Sequence, residues 1–152
     1  MIQHANTAQL QTFADIYDAR DLMASRDLTF YLTGSWYMGC QSEHSDLDLI
    51  VQYDDPIMSE LQKLGFESLN EFDYTSEGGT MIVMRRGRID VLVCELAQVK
   101  CIARDRIKAD RADEHKLAAP DERDKIWAEE YGRAKADYIA GIEHQSTSTD
   151  LF

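Results

Sequence analysis

The chain has 152 residues, 44% of them apolar, enough for one domain with a real core. Its 28 Asp and Glu against 16 Lys and Arg give a net charge of −12, which disfavours nucleic acid as a partner because polyanions are repelled. There is no run of about eighteen apolar residues, and Cys40, Cys94 and Cys101 are odd in number without a CxxC spacing, so neither a spanning helix, a disulfide framework nor a structural zinc site is expected. Three reduced thiols and a cytoplasmic location are expected instead, since the polar N-terminus lacks a basic start, an apolar centre and a small-residue cleavage site.

In chain order, "NTAQLQTFADIYDARDLMAS" sets Leu10, Phe13, Ala14 and Tyr17 on one helical stripe, with Asn6 or Thr7 as N-cap. "DLTFYLT" (27–33) is strand-like and stops at Gly34-Ser35, before a short segment able to begin a helix. "DLDLIVQY" is a second strand; Pro56 opens a short helix through "IMSELQKLG", and "FESLNEFDY" is a strand candidate. "GTMIVMRRGRIDVLVCEL" gives two strands joined by an Arg-Arg-Gly turn. Beyond Ala97 one helix is predicted over 98–116 and another from Pro120 to about 144, where Trp127, Tyr131, Ala134 and Tyr138 fall at core-packing spacing. The expected fold is α/β (α+β): a small mixed sheet in a core of residues 1–97, helices on one side, and a C-terminal helical pair (98–144) packed on the same domain. Residues 145–152 read as a loose tail, and there is no internal repeat or second domain.

The oddity is Asp46 and Asp48, two apart at the start of an apolar strand. Alternate strand residues share a face, so these carboxylates point together while Leu47, Leu49 and Val51 turn to the core. Two such charges about 6 Å apart repel by roughly 2 to 3 kcal/mol at an effective dielectric near 20, a cost that a divalent cation would reverse. "GRIDVLV" repeats the pattern with Asp90, and three carboxylates on neighbouring strands would make a metal cage. Gly34-Ser35 adds a backbone open to close approach and a hydroxyl, both useful to phosphates. A calcium loop fails, because Ile50 and Val51 stand where a ligand and the turn glycine are required. Arg85, Arg86 and Arg88 read as a polar hairpin turn, Arg104 and Lys108 as a solvated helix face, and His44 as an exposed loop residue. Trp36 and Tyr37 either stack on a base or anchor the short helix.

These residues resemble the nucleotidyltransferase superfamily that includes DNA polymerase beta and the minimal nucleotidyltransferases. The family pattern is an apolar strand, Gly-Ser, a spacer of about ten residues, Asp-x-Asp, and a third acid on a later strand; here residues 36–45 separate Gly34-Ser35 from Asp46-Leu47-Asp48. Ser45 and Gly39 match the commoner form of the motif, whereas Tyr37 and Met38 stand where Ala and Arg are usual. The resemblance covers roughly residues 10–95 and is nearest in spacing to the antitoxin-type branch, some members of which adenylylate a partner protein. It implies that Asp46 and Asp48 hold the magnesium (or manganese) ion gripping a nucleoside triphosphate, ATP being the first expectation. It further implies that all three acids share a second ion, which acidifies the attacking hydroxyl, that Gly34 and Ser35 bind the outer phosphates, and that Ser45 joins the nucleotide-binding set. A nucleotide monophosphate would pass to a hydroxyl of a protein or small molecule, with release of pyrophosphate. One alternative is a weak or inactive member of the fold acting as a binding or inhibitory protein. A second, an acidic surface mimicking nucleic acid, explains the charge but not the ordered acids.

Overall fold

The computed structural model describes residue 21 and residues 30–39, 46–69 and 81–141. The expected first helix, Cys40, His44, Ser45 and the tail from 145 lie outside these residues. Five strands, β1 (Phe30–Thr33), β2 (Leu47–Gln52), β3 (Glu67–Ser68), β4 (Met81–Arg86) and β5 (Ile89–Cys94), form one mixed sheet in the order β1-β2-β5-β4-β3. The β2–β5 pair is parallel and the other three are antiparallel. Five helices complete the described fold: α1 (Gly34–Met38), α2 (Asp55–Lys63), α3 (Ala97–Asp110), α4 (Ala112–Leu117) and α5 (Pro120–Ile139). None of them is long and apolar enough to cross a membrane.

Local chemistry explains most boundaries. Asp54 caps α2 by accepting from the Ile57 amide at 2.8 Å, with Pro56 in the first turn. Gly87, at φ 59, makes the tight β4–β5 turn that an L side chain resists. At the far end of β2, Gln52 receives the Ala97 amide (3.1 Å) and donates to the Glu95 carbonyl (2.6 Å), fixing where α3 begins.

The sheet is covered on both faces, which corrects the expectation of helices on one side. Leu47, Leu49, Val51, Ile89, Val91 and Val93 pack with Ile57 and Leu61 of α2. On the opposite face, Ile50 and Cys94 lie under Ala97 and Cys101 of α3. The reason is position: β2 and β5 are interior strands, so both of their faces need cover, and Ile50 is as buried as Leu49. A third cluster joins α3 to α5 through Val99, Ile102, Ala103 and Ile107 against Ile126, Trp127, Tyr131 and Ala134. Tyr138 departs from its predicted stripe and is 48% exposed.

Other boundaries shift as well. The helix predicted over 98–116 breaks at Arg111 (φ −135, ψ 22), whose guanidinium bonds Glu114 (2.7 and 2.8 Å), Glu129 (2.8 Å) and Glu130 (3.3 Å) and so staples α4 to α5. These bonds hold the Arg111 pKa above, and the Glu114 pKa below, their ordinary values. Within "FESLNEFDY", only Glu67–Ser68 is strand among the described residues.

The largest correction concerns Arg104, predicted on a solvated helix face but 0% exposed. It donates to the Leu32 carbonyl (2.7 Å) and to Asp105 (3.0 Å), and its guanidinium lies 4.1 Å from the centre of the Tyr37 ring. Tyr37 donates its hydroxyl to Asp105 and carries Lys108 over the same ring at 4.4 Å, so it anchors α1 to α3. Arg104→Ala removes one partner from this buried network and should cost about 3 to 5 kcal/mol, read as a lower urea midpoint. Burial pushes the Cys101 thiol up to about 11, so at pH 8 only about one molecule in a thousand carries the thiolate. Peptide mapping after treatment of the native protein with a thiol reagent should therefore find Cys101 unmodified, and denaturant should release the reaction.

Candidate functional site

Strand register builds the site. Thr33 of β1 lies opposite Asp48 of β2, Asp48 lies beside Asp90 of β5, and Asp90 lies opposite Arg85 of β4. One row across four strands thus reads Thr33, Asp48, Asp90, Arg85, with about 4.8 Å between neighbouring strands. Asp46 sits just before β2, and Gly34-Ser35 follows β1 directly. Asp46, Asp48, Asp90, Gly34 and Ser35 all line a single open cavity of about 370 Å³, which is also lined by His115, Trp127 and other residues of α4 and α5. Of the six site residues predicted from sequence, Ser45 alone falls outside the described residues.

Gly34 has a reason more specific than phosphate approach. At φ 69 it occupies a conformation that disfavours side chains, and a Cβ there would stand 2.2 Å from Asp48 Oδ2. The glycine makes room for the carboxylate itself.

Electrostatically, the acids are not left to repel one another. Arg85 grips Asp90 with both arms, Nε to Oδ1 at 2.6 Å and Nη2 to Oδ2 at 2.9 Å, and its Nη2 stands 3.7 Å from Asp46. Arg85 is therefore a partner of the acids rather than a solvated turn residue. Its two-residue turn at 87–88 sets it level with Asp90, a register that a two-residue hairpin implies from sequence.

The remaining wall comes from helices that the local pattern could not aim. Lys100 is 3% exposed and its ammonium lies 4.2 Å over the Trp127 ring. It lines an adjoining cavity of about 220 Å³ with Thr33, Asp48 and Asp90. Trp127 Nε1 donates to His115 Nε2 at 3.2 Å, which holds that nitrogen as an acceptor. Arg123, also at the rim, is tied to the His115 and Lys116 carbonyls (3.1 Å each) and closes the end of α4. Trp127 is thus both core, as its spacing predicts, and cavity wall.

As metal ligands, Asp46 and Asp48 offer the hard oxygens that magnesium and manganese take. Both Asp90 oxygens are engaged by Arg85, and among the described residues no three carboxylate, imidazole or thiol groups converge on one ion. Each Asp90 oxygen keeps a second lone pair beside its Arg85 bond, so a metal there would compete with the guanidinium for the same negative charge. No family model, curated protein or solved structure matches the chain, so the nucleotidyltransferase resemblance rests on the residues named above.

Two substitutions in the row should behave oppositely. Gly34→Ala combines left-handed strain with a clash on Asp48 and should cost about 1 to 3 kcal/mol or more. Thr33→Val removes a buried hydroxyl that has no hydrogen-bond partner among the described residues, so stability should hold or rise by up to about 1 kcal/mol. Urea unfolding of both variants tests the pair.

Proposed function

We propose that the chain is a metal-dependent nucleotidyltransferase, moving a nucleotide monophosphate from a triphosphate to a hydroxyl of a protein or small molecule. The observation that carries this reading is the convergence of Asp46, Asp48 and Asp90 with Gly34-Ser35 on one cavity, in an order and spacing resembling the superfamily's. Magnesium or manganese, held by Asp46 and Asp48 and joined by Asp90, would neutralise the phosphates and acidify the attacking hydroxyl. The chain's own part is positional. The parallel β2–β5 register fixes the spacing of Asp48 and Asp90, Gly34 makes room for the Asp48 carboxylate, and the Ser35 hydroxyl serves the outer phosphates. Arg104 and Tyr37 hold α1, and with it Ser35, against α3. ATP is the first triphosphate to try, and the net charge of −12 argues for a protein or small-molecule acceptor over RNA or DNA.

The bidentate Arg85–Asp90 pair supports a second reading, a binding or inhibitory protein that keeps its acids but does not turn over.

Radiolabelled triphosphates with magnesium or manganese and a cell extract separate the two. Transfer to a protein or metabolite, lost in Asp48→Asn and on chelation, is the expected result; no transfer with any of the four nucleotides supports the idle form. Thermal melting supplies an independent readout. Magnesium should raise the melting temperature of the wild type, more strongly that of Arg85→Ala, whose acids lack the internal cation, and hardly at all that of Asp48→Asn. A melting temperature indifferent to both metals in wild type and Arg85→Ala would count against the metal site.

A further inference from the structure

A third cavity, of about 280 Å³, lies at the other end of the sheet from the acids, where β2 and β5 finish and β4 begins. Among the described residues it is lined by Tyr53, Met81, Ile82, Val93 and Glu95. Val93 is three residues beyond Asp90, about 10 Å further along the strand and on the opposite face, so this site is separate from the acids. The sheet itself builds it: Ile82 of β4 lies opposite Val93, and the Tyr53 amide donates to the Cys94 carbonyl at 2.8 Å, which carries Tyr53 alongside the end of β5. Leu49, Val51 and Val91 on this face are buried against α2, whereas Ile82 is 37% and Tyr53 39% exposed. The surroundings are anionic. Glu95 lines the cavity and is exposed, and the Tyr53 hydroxyl donates to Asp55 Oδ1 at 3.0 Å. The Tyr53 pKa is raised above the ordinary tyrosine value, first by that hydrogen bond and then by the charge of Asp55, with burial and the charge of Asp54 adding to it. No lysine, arginine or histidine is among the described lining residues.

We propose that this cavity is a docking site for a basic segment of a partner protein, which inserts one arginine: its aliphatic stem lies on Met81, Ile82 and Val93, and its guanidinium meets the Tyr53 ring and the Glu95 carboxylate. Three features of the cavity select this occupant. Its volume falls just below the roughly 300 to 1,000 Å³ of small-molecule pockets and is sized for a single long side chain. An apolar floor beside a carboxylate matches a side chain that is apolar along its stem and charged at its tip. A planar guanidinium can also stack on the phenol ring while giving a two-pronged hydrogen bond to Glu95, which an ammonium cannot. Further cations on the same segment meet Asp55 and Asp54 at the start of α2. A second copy of this chain is the wrong partner, because two molecules of net charge −12 repel each other. The site does not depend on the transferase reading.

The test uses the full chain with labelled isoleucine and valine methyl groups, followed by NMR. The probes are the peptide acetyl-Gly-Arg-Leu-Arg-Gly-amide, its versions with lysine or glutamine in place of arginine, and agmatine, a free guanidinium on a butyl stem. The arginine peptide should shift the Ile82 and Val93 methyl signals saturably, the lysine peptide should bind several-fold more weakly, and the glutamine peptide and agmatine should give no saturable shift. Glu95→Gln should weaken the arginine peptide about tenfold, the loss of one charge-assisted hydrogen bond, and Ile82→Lys, which puts a cation into the slot, should abolish its binding. Both positions are exposed, so the folded state tolerates the changes. Asp121→Asn, on the exposed first turn of α5, should leave the affinity as it is. The site is overturned if the glutamine peptide binds as tightly as the arginine peptide, or if Asp121→Asn weakens binding as much as Glu95→Gln, since attraction to the acidic surface at large would then be the cause. Lysine matching arginine refutes the guanidinium assignment, and agmatine matching the peptide refutes a protein partner. Ile82 shifts that grow with the concentration of the chain alone would make the occupant a second copy and overturn the proposal as well.

Discussion

Everything at the site depends on the parallel pairing of β2 with β5. That pairing sets Asp48 and Asp90 on neighbouring strands at the same level, which electrostatics alone opposes. The sheet tolerates it because the next strand out supplies a guanidinium at the same level, and because the alternate face of both strands is packed with Leu47, Leu49, Ile89 and Val91. Shifting β5 by one residue would turn Asp90 into that apolar layer and Val91 out of it. The hydrophobic core thus enforces the proximity of the acids.

The covering helices are joined to this arrangement by buried charge. Arg104 reaches from α3 to the carbonyl of Leu32 in β1 and to the ring of Tyr37 in α1, so the strand end and short helix that flank the acids share one anchor. Arg111 does similar work between α4 and α5, in more exposed surroundings. The two arginines differ in consequence. Arg104 is sealed from water and cannot exchange partners cheaply, whereas the bonds of Arg111 compete with solvent and salt.

What could be read from sequence followed locality. Period-two alternation around Asp46, Asp48 and Asp90, and the glycine ending an apolar strand, were visible because each signal spans only a few residues. The second buried face was not, because alternation distinguishes the two sides of a strand without saying what covers the polar-looking one; Ile50, two residues beyond Asp48, is covered by Ala97 and Cys101 from about fifty residues away in the chain. A charged helix position misled in the same way: Arg104 looks solvated until α3 is known to lie across the sheet. Arg85 was within reach, since a two-residue turn determines which residue faces Asp90, but polar turn composition hid it. His115 gives no local sign at all, as its role depends on the Trp127 indole meeting it from another helix.

The contact between Gly34 and Asp48 makes two distant positions a single heritable unit. While the acid holds its place, a Cβ at residue 34 would force the carboxylate to shift, so the two positions constrain each other apart from any role in catalysis. A lineage that lost the acid would be released from half of this constraint, the steric half, with the left-handed backbone still favouring glycine or asparagine. The coupling is therefore lopsided: loss of the carboxylate relieves the clash at residue 34, whereas loss of the glycine creates it.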